Sequence, residues 1–215
     1  ITARAGVVVG SGITLSKDGD IFATGVTTAT KFAAGKLGIG FTDNNIKIGN
    51  TALDSLTTGT DNTAVGHNAL TANTTGTNNT AIGDEALLAN TTGTSNVAVG
   101  AEALDANTTA NGNTAIGVAA LGTNTTGSGN FAGGQGALFA NTTAANNVAV
   151  GYFTLNANTT GTQNVSVGAL ALDANTTASN NTACGYNALS ANTTGSENVA
   201  LGSNALADNT TGYNN

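Results

Sequence analysis

From Asn45 to Asn214 the chain is one unit of 17 residues, written ten times end to end with no inserted or deleted residue. NTAVGHNALTANTTGTN (62–78) and NTAIGDEALLANTTGTS (79–95) are clear copies, and each copy opens on an asparagine: Asn45, Asn62, Asn79, Asn96, Asn113, Asn130, Asn147, Asn164, Asn181 and Asn198. Ten units of 17 make 170 of the 215 residues. A unit this small cannot bury its own apolar face, so neighbouring units must stack and bury it for one another. The period is shorter than those of helical repeats and suits the coils of a β-solenoid. The expected fold is therefore all-β: an elongated β-solenoid, or β-roll, of ten 17-residue coils over 45–214. Residues 1–44 do not follow the period and are expected to form a β-rich N-terminal cap or junction.

Numbering each copy from its asparagine gives the plan of one coil. Positions 2 to 4 run Thr/Val, Ala, Val/Ile/Leu, as in Thr63-Ala64-Val65, which is the pattern of a short strand. Their β-branched residues place positions 2 and 4 inside and the alanine outside, where a column of small side chains would admit a close neighbour. Position 5 is glycine throughout. Gly66, Gly83, Gly100, Gly117, Gly151, Gly168, Gly185 and Gly202 are read as corners with positive φ or no room for a Cβ. Position 9 is leucine in every copy: Leu53, Leu70, Leu87, Leu104, Leu121, Leu138, Leu155, Leu172, Leu189 and Leu206. Leucine at one-coil spacing is the expected structural core. It belongs to a second element whose type, strand or helical turn, the pattern leaves open. Positions 12 to 14 are Asn-Thr-Thr in nine copies. Asparagines stacked at strand spacing bond along the axis, so ladders are expected at positions 1 and 12. Like charges in register repel, and the charged residues fall mainly at variable positions 6, 7, 10, 16 and 17, which should face solvent.

The chain carries little obvious chemistry. Only 8% of residues are charged. The repeats hold nine acidic residues against Lys47, a net −8, which argues against nucleic acid as a partner. No apolar run is long enough to span a bilayer as a helix. Cys184 takes a slot that is elsewhere Val, Ile or Leu and is expected to be a buried thiol acting as a small hydrophobe. His67 and the carboxylates Asp84, Glu85, Glu102 and Asp105 lie at variable positions and read as surface residues. No zinc spacing, phosphate loop or nucleophile motif appears, and Lys17-Asp18-Gly19-Asp20 is a turn too short for a calcium loop. The sequence thus predicts no catalytic residues, no cofactor, no metal site and no enzyme activity. In the sixth copy Gly133 replaces the apolar residue of position 4, with Phe131 and Phe139 expected to refill the space. Each Asn-Thr-Thr is formally an N-glycosylation acceptor, although its turn role accounts for it without sugar. The last unit stops at Gly212-Tyr213-Asn214-Asn215 with no evident cap, so either a neighbour covers it or the chain is part of a longer fibre.

The units NTAVG…AL…NTTG resemble repeats of phage tail-fibre and bacterial surface proteins. Asn96-Val97-Ala98-Val99-Gly100 and Asn147-Val148-Ala149-Val150-Gly151 are more distantly similar to a strand in the head of trimeric autotransporter adhesins. GITLSKDGDIFATGVTTATKF (12–32) resembles segments of cyanobacterial-phage (cyanophage) structural and fibre proteins. The resemblance implies a viral structural protein on the virion surface or tail: a parallel homotrimer acting as rigid spacer and host adhesin. Its partners would be copies of itself, other virion or fibre proteins and host surface glycans. Two other readings stand beside it. One is an extracellular filament subunit or cell-surface adhesin head. The other is an ice-binding solenoid with threonine columns at positions 13 and 14.

Overall fold

A computed structural model of the chain describes residues 44–215 and two short strands, β1 (Ile13–Leu15) and β2 (Ile21–Ala23). The chain separates into two units, Ile1–Gly38 and Ile39–Asn215. In the first, β1 and β2 pair antiparallel, with Thr14 opposite Phe22. The expectation of a β-rich cap over 1–44 otherwise lies outside the described residues.

The second unit is a β-solenoid. Ten three-residue strands form one parallel sheet in chain order: β3 (Ile46–Ile48), β4 (Thr63–Val65), β5 (Thr80–Ile82), β6 (Val97–Val99), β7 (Thr114–Ile116), β8 (Phe131–Gly133), β9 (Val148–Val150), β10 (Val165–Val167), β11 (Thr182–Cys184) and β12 (Val199–Leu201). Every strand pairs with the next at an offset of 17, as in Ala64↔Ala81 and Ala98↔Ala115. Identical positions therefore stack on identical positions. At the usual strand separation the ten levels span roughly 45 Å.

The rest of the coil is bonded to the next level in the same way. Leu70 N donates to Ala86 O at 3.0 Å, Ala72 N to Leu88 O at 3.1 Å and Thr74 N to Thr91 O at 2.9 Å. The leucine element is neither strand nor helix but a run of tight turns. All ten position-9 leucines have φ between 48° and 53°. A left-handed leucine costs on the order of 1–2 kcal/mol, and burying its side chain returns about 1.5–3 kcal/mol. For the nine from Leu53 to Leu189, which are buried, burial offsets the strain or nearly so; Leu206, in the last coil, keeps the same backbone at 39% exposure. The position-5 glycines have φ from 117° to 145°. A Cβ added at Gly117 would lie 2.6 Å from the carbonyl carbon of Gly134, so the stacked corners exclude any side chain.

The interior corrects the sidedness expected from the sequence. Position 3, not positions 2 and 4, faces inward: Ala64, Ala81, Ala98, Ala115, Ala132, Ala149 and Ala183 are fully buried. Position-8 alanines and the leucines from Leu70 to Leu189 complete the core. Alternation places positions 2 and 4 opposite position 3, but it does not say which face is inside. A coil of 17 residues leaves space between its walls for two alanines and one leucine. A β-branched side chain on the inner strand face would meet that leucine. Lys47 holds the inward position of the first coil, where it is half-buried and its Nζ reaches Asp54 Oδ1 at 3.3 Å.

Both asparagine columns are buried and laddered. Asn79 N and Nδ2 donate to Asn62 Oδ1 at 3.0 and 3.2 Å. Asn90 Nδ2 donates to Asn73 Oδ1 at 3.0 Å. The two columns meet at position 15, where Gly93 O accepts from Asn79 Nδ2 at 2.8 Å and from Asn90 Nδ2 at 3.1 Å.

Inside and outside can be told apart by truncation. Leu121→Ala should cost about 2–5 kcal/mol in chemical denaturation, as for other buried leucines. Ile116→Ala, on the outer strand face, should cost less than about 1 kcal/mol in the isolated chain. Equal losses at the two positions would contradict the sidedness described here.

Candidate interaction face

Because alanine takes the inner side of eight of the ten strands, the larger residues of the strand point out. Positions 2 and 4 form two parallel columns running from Ile46 and Ile48 to Val199 and Leu201. Most are apolar, and they are open to solvent: Ile82 is 40% exposed, Ile116 46%, Val150 38%, Val167 37% and Leu201 69%. Threonine at Thr63, Thr80, Thr114 and Thr182 supplies the polar minority. Side chains of this size at this exposure present on the order of 1,000 Å² of largely apolar surface along the rod. That is more than a soluble monomer commonly leaves uncovered, and comparable to what each partner contributes to a stable interface. The sheet beneath is bonded at every level, so the columns are held in place without a partner.

Two departures lie on this face. In β8 the larger residue moves to position 2. Phe131 is 39% exposed, and its Cε1 lies 3.3 Å from where a Cβ on Gly133 would be. The phenylalanine therefore covers its own strand's glycine from outside. It does not refill an internal void, and Phe139 is likewise exposed, packed beside Gly122. Cys184 is the second departure. It is exposed, between Val167 and Leu201 in the position-4 column, which corrects the expectation of a buried thiol.

The other singled-out residues lie elsewhere on the coil. His67 Nδ1 is 2.9 Å from Asp84 Oδ1, one coil apart on the surface. Tyr152 and Tyr186 are exposed at position 6, and the Tyr152 ring meets Phe153 edge-on with centroids 4.6 Å apart. The position-13 threonines spend their hydroxyls along the axis, as in Thr74 Oγ1 to Thr91 O at 3.1 Å. Only the position-14 column is left fully outward, a single row rather than a flat array. Among the described residues no cluster of three His, Cys, Asp or Glu side chains is placed to hold a metal ion. No helix among them is long and apolar enough to cross a membrane.

No family model matches this chain, and no curated protein or solved structure matches it. The face must therefore be read from its own geometry.

Sequence reasoning missed the face because it assigned the strand's apolar residues to the core. The available signal was alanine at position 3 in eight copies, with Ser166 in a ninth. Residues so small fit a narrow interior.

Position 10 yields a titration prediction. Thr71 Oγ1 donates to Thr51 O at 2.8 Å, and Asn156 Nδ2 donates to Gly136 O at 2.9 Å. Each bond runs to position 7 of the preceding coil. Aspartate takes the same slot at Asp105 and Asp173, and an ionised carboxylate cannot donate. Asp173 Oδ1 is buried with no partner. Burial, the largest cause, raises the pKa of both; at Asp105 the nearby Glu102 adds to it. A raised carboxylate pKa means the folded chain holds its proton more tightly than the unfolded chain does. The penalty is present above the folded pKa and fades as pH falls toward the unfolded value. Asp173→Asn should raise the melting temperature at pH 7, and the gain should shrink as the pH is lowered toward 4. A gain independent of pH would argue against this account.

Proposed function

We propose that this chain is a structural fibre or spike component. It acts as a rigid spacer that associates with copies of itself, as a parallel homotrimer, through the outer face of β3–β12. The observation that carries the reading is the pair of exposed apolar columns along the whole sheet. An uncovered stripe of this kind favours a partner equally long and equally regular, and a second copy supplies one. In a parallel assembly around an axis along the rod, each level meets the same level of its neighbours, so Val150 approaches Val150 and Val167 approaches Val167. Closed symmetry of this kind covers the stripe and leaves none over. The pairing of Phe131 with Gly133 keeps a large and a small residue together in one strand, which suits an interface with limited room.

The mechanism proposed is mechanical. Bonds between levels run parallel to the axis at nearly every residue of the coil, so bending requires many to lengthen together. Such a rod would hold host-binding parts away from a particle, and the sequence resemblance to phage fibre proteins points to a virion surface or tail. Surface glycans of a host are the proposed contact of the assembled fibre, with other fibre proteins at its ends.

Solution mass tests the assembly. The chain at micromolar concentration should sediment at three times its 20.7 kDa mass. Ile116→Glu combined with Val150→Glu should return it to single chains with an unchanged circular dichroism spectrum. Mild oxidation should link chains in pairs through Cys184. A wild-type chain that stays single at this concentration removes the interface. Masses that climb without limit as concentration rises would support the filament reading in its place.

A further inference from the structure

The Asn-Thr-Thr triplets carry an implication that their role in the coil does not exhaust. Nine of them satisfy the acceptor pattern for N-linked glycosylation, from Asn73 to Asn209. The sugar would be joined to Nδ2. From Asn73 to Asn192 these side chains are fully buried. From Asn90 onward each Nδ2 donates twice. Asn124 Nδ2 reaches Asn107 Oδ1 at 3.1 Å and Gly127 O at 3.0 Å; Asn158 Nδ2 reaches Asn141 Oδ1 at 3.2 Å and Gly161 O at 2.9 Å. A glycosidic bond would replace one of those hydrogens and put a sugar where the neighbouring coil sits. Asn164-Val165-Ser166 is a further acceptor with a fully buried asparagine. Only Asn78 and Asn180, which precede Asn79-Thr80 and Asn181-Thr182, are exposed acceptors the fold could carry.

N-glycosylation in eukaryotic cells acts on the chain as it enters the secretory lumen, before coils of this kind could close. Burial in the finished fold gives no protection at that moment. We infer that this chain folds only where that modification does not operate, and that passage through an N-glycosylating compartment converts the core asparagine ladder into a block on folding. The inference stands on the ladder geometry and is independent of the fibre proposal.

The experiment compares the full chain made in bacterial cytoplasm with the same chain led into the secretory pathway of a eukaryotic cell line. The cytoplasmic product should be soluble, with parallel-β circular dichroism. The secretory product should carry sugars on the buried asparagines by mass spectrometry and be retained or aggregated. Two treatments should restore secretion of the folded rod. One is an inhibitor of N-glycan synthesis. The other replaces the acceptor threonines at position 14 with alanine (Thr75, Thr92, Thr109, Thr126, Thr143, Thr160, Thr177, Thr194 and Thr211, all exposed) together with Ser166→Ala. In that variant Asn78 and Asn180 remain as acceptors and should be occupied on folded protein. Folded, secreted rod from untreated cells, glycosylated on the core asparagines or not, would overturn the inference. Failure of both treatments to restore secretion would overturn it as well, since the block would then lie elsewhere.

Discussion

Two columns of buried asparagine amides meet at one backbone carbonyl, and the remainder of the coil is arranged around that junction. In the third copy, Gly93 O accepts from Asn79 and from Asn90, which uses both of its lone pairs. The two side-chain oxygens accept from the coil that follows, Asn79 Oδ1 from Asn96 and Asn90 Oδ1 from Asn107. Each amide thus ties its own coil shut and ties it to its neighbours. A buried polar network is stabilising only when its members are satisfied, and a single unpartnered amide costs about 1–3 kcal/mol. That condition explains why the columns tolerate so little variation. It also explains why position 15, packed against the junction, is never larger than alanine.

The junction sets the width of the interior, and the width sets what fills it. Two alanines and one left-handed leucine occupy most levels, with Lys47, Thr154 and Ser166 each replacing one alanine. Larger strand residues are pushed to the outer face, where they form the columns on which the proposed association rests. The feature that makes the coil closable is therefore the same one that leaves an apolar stripe uncovered.

Variation is admitted where it can be compensated locally. In the seventh copy Thr154 replaces the position-8 alanine, and in the eighth Ser166 replaces the position-3 alanine. Their hydroxyls lie 2.6 Å apart, and each oxygen is within reach of Ala171 O, at 3.1 and 2.9 Å; with one proton apiece, one hydroxyl donates to the other and the second donates to Ala171 O. Two buried hydroxyls that would each be costly alone satisfy one another. Phe131 and Gly133 make a similar exchange on the outer face.

The sequence by itself determined the stacking, the period, the parallel register at an offset of 17 and the two asparagine ladders. All of these follow from exact repetition, because identical side chains at one-coil spacing must meet. It also marked the position-5 glycines and the position-9 leucines as fixed points of the coil. Only the tertiary structure decided which side of the strand is inside. Alternation of Thr63, Ala64 and Val65 is symmetric between the two faces, and hydrophobicity favours the wrong one. The choice depends on the distance to the opposite wall, which is a property of the closed coil and of no local stretch. The same dependence put Cys184 and Phe131 outside and gave the position-9 leucines a left-handed backbone, since closure against the facing wall buries nine of the ten and makes that strain worth bearing.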